Sequence, residues 1–71
     1  MEETFYTPDS SNIVKIKYYE DNYILEVEFQ NGGIYHYYDV PIPVWENFKA
    51  SDSKGKFLHE HIKGNYRYSK V

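Results

Sequence analysis

The 71-residue chain has no cysteine, one methionine, one tryptophan and three prolines. Without cysteine there is no disulfide to staple the fold and no thiolate to build a structural zinc site, so the core must hold the chain by itself. Disulfide usage therefore carries no information on redox compartment. No apolar run approaches the ~20 residues of a membrane-spanning helix. The opening Met1-Glu2-Glu3-Thr4 is acidic and polar, unlike a secretion signal. These absences predict a cytoplasmic protein with no membrane segment and a single small domain of thin stability margin.

What is abundant is aromatic. Rings make up 20% of the residues, with nine tyrosines among them. Large rings bury much area while their polar tips stay wet at the edge of a small core. Charge is divided along the chain. Residues 1–53 carry ten acidic side chains against Lys15, Lys17 and Lys49, a balance of −7. Residues 54–71 carry Lys54, Lys56, Lys63, Arg67 and Lys70 against Glu60 alone, a balance of +4. A basic end on an acidic chain points to an anionic partner, or to neutralisation of the acidic part by the tail.

Taken in order, residues 1–10 mix acids, aromatics and Pro8 without period and read as a flexible N-terminal arm; residues 11–71 read as one domain. From Ile13 the chain alternates, with Val14, Ile16 and Tyr18 on one face and Lys15 and Lys17 on the other. Glu20-Asp21-Asn22 makes a polar turn. Tyr23, Leu25, Val27 and Phe29 then share a face opposite Ile24, Glu26 and Glu28, which gives a hairpin. Lys15 and Lys17 are expected across from Glu26 and Glu28, a pairing that sets register. Gln30-Asn31-Gly32-Gly33 is the second turn, supplying positive φ cheaply, and a third strand runs from Ile34 to Asp39.

Val40-Pro41-Ile42-Pro43 stops the sheet, because proline cannot donate to the ladder and Pro43 suits a helix's first turn. Val44, Trp45 and Phe48 then fall on one side of a short helix. A second helix runs from Lys54 to Ile62 with a stripe of Phe57, Leu58, His61 and Ile62, preceded by Ser51-Asp52-Ser53 and stopped by Gly64-Asn65. Tyr66-Arg67-Tyr68 resumes alternation. The expected fold is α+β: a three-stranded antiparallel meander followed by two short helices packed on one face (βββαα), with a short extended C-terminal tail. Its expected core is Val14, Ile16, Tyr18, Leu25, Val27, Phe29, Tyr35, Tyr37, Val40, Val44, Trp45, Phe48, Phe57, Leu58, Ile62 and Tyr66.

The run Gly33-Ile34-Tyr35-His36-Tyr37-Tyr38-Asp39-Val40-Pro41, then Trp45 and Phe48, then Ser53-Lys54-Gly55-Lys56-Phe57, His61-Ile62 and Tyr66, resembles the KTSC domain. That family occurs at the C-terminus of some lysyl-tRNA synthetases and as stand-alone bacterial or phage proteins; Tyr35 and Tyr37 match its central Tyr-x-Tyr. The resemblance supplies no catalytic residues to carry over, and its tRNA-synthetase setting implies RNA. The family's usual arginine-rich finish around Tyr-Pro-Tyr is here Tyr66-Arg67-Tyr68-Ser69-Lys70.

Catalysis has little to work with. His59 and His61 lie two apart on a helix and point to different sides. His61 falls on the apolar stripe and is expected at the edge of the core, while His36 shares a strand face with Ile34 and Tyr38. No enzyme activity, cofactor or metal site is predicted. Ser53-Lys54-Gly55-Lys56 offers a helix start with lysines, either an anion seat or a capped helix with a close-packed glycine. Tyrosines interleaved with cations suit single-stranded RNA, whose bases stack on rings. The expected function is a non-catalytic binding module that contacts RNA or another polyanion through Lys54, Lys56, Lys63, Tyr66, Arg67, Tyr68 and Lys70. The alternative is a protein-interaction module or small phage-type inhibitor that uses an acidic sheet face or exposed sheet edge. Monomer or weak homodimer fits either.

Overall fold

The computed structural model describes residues 2–6 and 12–71. Its elements run β1 (Glu2–Tyr6), β2 (Ile13–Tyr19), β3 (Ile24–Phe29), β4 (Ile34–Tyr37), α1 (Ile42–Ala50), α2 (Lys54–Phe57), a π-helical turn (Leu58–Ile62) and β5 (Tyr68–Lys70). The strands form one antiparallel sheet in the order β1-β2-β3-β4-β5. The expected three-stranded sheet is therefore corrected to five strands. The central three strands and the two helical segments are present, but β4 stops at Tyr37 instead of running to Asp39, whose φ is 60°, and each flank of the sheet gains a strand.

Both additions have a physical reason. Within the stretch read as an N-terminal arm, β1 pairs along β2 from Glu2 opposite Tyr19 to Tyr6 opposite Lys15. A side-chain lock to α1 holds it: the Trp45 indole N–H donates to Glu3 at 2.8 Å, and Lys49 reaches the same carboxylate at 2.9 Å. Residues 7–10 of that arm, and Ser11, where the domain was expected to begin, lie outside the described residues. At the other end β5 pairs with β4, placing Lys70 opposite Tyr35 and Tyr68 opposite Tyr37. The expected tail is thus part of the sheet. Flanking backbone bonds extend this pairing, from Tyr38 N–H to the Arg67 carbonyl and from Val71 N–H to the Ile34 carbonyl.

The hairpin register follows the charges. Lys15 faces Glu28 and Lys17 faces Glu26, and the Lys15–Glu28 ion pair closes at 3.5 Å. One detail differs from strict alternation. The register shifts between Ile13 and Lys15, so an extra residue is accommodated at Val14. Such a bulge reverses which face the preceding residue meets. Ile13 is consequently fully buried while Val14 is only half-buried.

The core lies between one sheet face and the helices. Ile16, Tyr18, Leu25, Val27 and Tyr37 from the sheet meet Trp45, Phe48, Leu58 and Ile62 from the helical side, with Ile13 and Val40 closing the ends. Phe29, Tyr35, Val44, Phe57 and Tyr66 pack around this centre half-buried. The Tyr18 ring lies nearly parallel to Trp45 with centroids 5.2 Å apart, and its hydroxyl donates to the Val40 carbonyl at 2.5 Å. That bond gives the buried Val40 carbonyl a donor, while the Val40 N–H donates to the Tyr23 carbonyl at 2.9 Å. It matters because a buried carbonyl without a donor is costly.

Tyr23, expected on the inward face of β3, instead sits in the turn with φ 56° and is half exposed. The second helix is also modified. Its first turn is α-helical, with Ser53 Oγ accepting from Lys56 N–H. Its last turn widens so that Lys63 N–H reaches the Leu58 carbonyl at 2.8 Å. His61 is exposed rather than tucked at the core edge, its ring resting 4.6 Å from that of Phe57.

Candidate nucleic-acid interface

The basic end of the chain divides into two places. At the start of α2, the Lys54 ammonium donates to the Ser51 carbonyl at 2.7 Å. Ser53 Oγ takes up the Lys56 N–H at 3.3 Å. Gly55 abuts Asn12, whose Oδ1 lies 3.0 Å from where a β-carbon would stand. This turn is occupied by its own contacts, and Lys56 is its exposed cation.

The second place is built by β5 and the segment that leads into it. Because Tyr68 is directly opposite Tyr37 and flanks Tyr35 diagonally, its ring contacts both, at centroid distances of 5.8 Å each. It nevertheless remains 62% exposed, for β5 is a sheet edge. A cleft of about 450 Å³ opens beside it, lined by Phe29, Asn31, Tyr35, Tyr37, Lys63, Gly64 and Tyr68. A second, wider and shallower hollow of about 610 Å³ is lined by Tyr38, Gly64, Asn65, Tyr66, Arg67 and Tyr68. Tyr68 and Gly64 belong to both.

Each hollow has a cation. The Lys63 ammonium lies 5.6 Å from the Phe29 ring centre. The Arg67 guanidinium lies 5.7 Å from that of Tyr38 and 3.1 Å from the Asp39 carboxylate. Both members of the latter pair are about four-fifths exposed (79% and 76%), where water screens most of the attraction. Lys70 lies opposite Tyr35 on the same sheet face, exposed at the mouth of this region. Burial raises the Tyr37 hydroxyl above its ordinary 10.0, with the neighbouring Tyr35 and Tyr68 phenols adding to the effect.

Of the residues singled out from sequence, Lys63, Tyr66, Arg67 and Tyr68 line the two hollows and Lys70 stands beside them. Lys54 and Lys56 line neither. Tyr66 is half-buried against the core, which limits it as a stacking platform. Sequence reasoning did not place Asn31, Gly64 and Asn65 in the site. Their turn-forming character was legible, but their convergence depends on the β4–β5 pairing.

The opposite sheet face is not a free acidic surface. His36 Nε2 is 2.8 Å from Glu26 Oε1, and the Tyr19 hydroxyl donates to the same oxygen at 3.4 Å. Among the described residues no group of three or more His, Cys, Asp or Glu is placed to hold a metal ion. No described helix is long and apolar enough to cross a membrane.

The family profile of the KTSC domain matches residues 9–66. The chain belongs to the KTSC domain family. A crystal structure of a KTSC domain protein from Yersinia pestis superimposes with a TM-score of 0.91 at 35% identity, covering 100% of this chain and 99% of that one. Lysine–tRNA ligases from Trichormus variabilis and a Nostoc species are 34% and 36% identical over 64 residues, which is 90% of this chain. The chain spans only 11% of the length of each ligase. A stand-alone protein from Stutzerimonas stutzeri is 35% identical over 87% of this chain and 89% of its own. Sequences similar to this domain thus occur both within lysine–tRNA ligases and as short bacterial proteins.

Proposed function

We propose that this KTSC domain is a binding module for RNA, working in the cytoplasm through the basic surface around β5. One observation carries the reading: an exposed tyrosine, Tyr68, is held in place by Tyr35 and Tyr37 and lines two hollows, one with Lys63 and one with Arg67. A ring already fixed by its neighbours loses little freedom when a base stacks on it, and adjacent cations offset backbone phosphates. The kinship with a segment of lysine–tRNA ligases supports the same reading, since those proteins act on tRNA. Lys70 extends the basic rim, while Lys54 and Lys56 add charge from the start of α2.

The reading is tested by titrating fluorescently labelled RNA at two salt concentrations, with wild type and Lys63→Ala/Arg67→Ala. Affinity is expected to fall as salt rises and as the two cations are removed, because phosphate contacts release counterions. Absence of binding even at low salt would overturn it.

A protein partner is the second reading, favoured by the exposure of β1. Residues Glu3 to Tyr6 form a sheet edge and are all exposed, Tyr6 at 74%. Such an edge can accept an added strand, including one from a second copy in a weak homodimer. A pull-down that yields one protein, lost when Phe5 or Tyr6 is replaced by lysine, is the supporting result.

A further inference from the structure

The two hollows beside Tyr68 share more than a wall. Each holds one cation and one side-chain amide: Lys63 with Asn31 in the first, Arg67 with Asn65 in the second. The amides are held in complementary states. Asn31 Oδ1 accepts from Gly33 N–H at 2.9 Å, which leaves its amide donors to offer a ligand. Asn65 Nδ2 donates to the His61 carbonyl at 3.0 Å, which leaves its oxygen as an acceptor. Gly64 joins the two hollows without a side chain between them, and the space where its β-carbon would point is open.

We infer that the site takes single-stranded RNA with Tyr68 standing between two consecutive unpaired bases, one in each hollow. This rests on the RNA-binding reading above and narrows it to a strand whose bases are splayed apart. The two volumes lie within the range of small-molecule sites, and each is lined by rings as well as a polar edge. A duplex cannot use them. Its bases are paired and stacked inward, so only phosphates would reach Lys63 and Arg67. The Arg67–Asp39 pair does not close the second hollow, because both groups are largely exposed and a phosphate competes readily for the guanidinium.

The test compares a labelled single-stranded RNA, the same sequence as a duplex, and heparin as a base-free polyanion, by fluorescence anisotropy at low salt. Single-stranded RNA is expected to bind at least roughly tenfold tighter than duplex, and Tyr68→Ala to lose at least roughly thirtyfold for the single strand alone, as expected when a base–ring stack on each side of the ring is removed. Tyr68→Phe should retain that affinity. Lys63→Ala and Arg67→Ala should each lower the salt slope by about 0.7, one phosphate apiece. Circular dichroism of each variant checks that the fold is kept. Equal binding of single strand, duplex and heparin, or a Tyr68→Ala variant that binds like wild type, would overturn the inference while leaving polyanion binding intact. A slope change for only one of the two cations would overturn the two-hollow arrangement. Failure of all three probes to bind would instead remove the RNA reading on which the inference rests.

Discussion

Glu3 and Trp45 are joined across 42 positions of sequence by a 2.8 Å hydrogen bond, the indole N–H donating to the carboxylate. The bond ties the outermost strand to the helix over the core. That bond, then Lys49, holds the Glu3 carboxyl below its ordinary 4.5. A depressed carboxylate stabilises the fold above its unfolded value and loses that contribution as pH falls through the folded one. Glu3→Ala is expected to cost about 1 kcal/mol at neutral pH, a discounted figure because Glu3 is half exposed. Thermal melts of wild type and Glu3→Ala should converge below pH 4.5. A gap that stays constant with pH would mean the carboxylate's charge is not what matters.

Tyr18 makes a different kind of link. Its ring stacks on Trp45 and its hydroxyl serves the Val40 carbonyl. Tyr18→Phe keeps the stack and leaves the carbonyl without its donor, an expected cost of about 1–3 kcal/mol in denaturant unfolding. Burial, then the nearby Tyr23 and Glu20, raises the Tyr18 phenol above 10.0. A raised value leaves stability level below the unfolded pKa and lowers it as pH climbs through the folded one. Wild type should therefore lose stability above pH 10.0 more steeply than Tyr18→Phe, with Tyr37 contributing to the slope of both.

The central hairpin and both helical segments were legible because their patterns are local. Lys15 faces Glu28 and Lys17 faces Glu26 as period-two alternation requires. The two outer strands were not legible for a shared reason. In β1, Glu3 and Phe5 point inward, and an acid on the inner face makes sense only once Trp45 and Lys49 are known to meet it. In β5, three residues are too few to show a period. Ile13 fills the buried place expected of Val14 because of the bulge there, which alternation cannot foresee. The site was legible in part: Lys63, Arg67 and Tyr68 announce themselves by type, whereas Asn31 and Gly64 join them only through β4–β5 pairing.

Gly64 and Gly55 separate backbone strain from crowding. Gly64 has φ +83° with open space around its β-carbon position, so Gly64→Ala meets strain alone. An expected cost of about 1 kcal/mol corresponds to roughly 4–8 °C in Tm for a domain of this size. Gly55 instead lies 3.0 Å from Asn12 Oδ1 at the β-carbon position. Gly55→Ala must push the Asn12 side chain aside, so its cost is expected to be smaller in an Asn12→Ala background than in wild type, a coupling read from a double-mutant cycle. No second-site change at a side chain should rescue Gly64→Ala.

The divided basic end yields a last test that stability cannot mimic. Lys63 and Arg67 line the hollows beside an exposed ring, whereas Lys54 is engaged with the Ser51 carbonyl and Lys56 lies outside both hollows. Lys54→Ala/Lys56→Ala and Lys63→Ala/Arg67→Ala remove the same formal charge. If net charge alone governed RNA affinity, the two pairs would weaken binding equally at every salt concentration. With the interface centred on Tyr68, the second pair is expected to reduce affinity several-fold more at low salt, and the difference should shrink as salt screens phosphate contacts. Equal losses would shift the interface away from β5 and toward the start of α2.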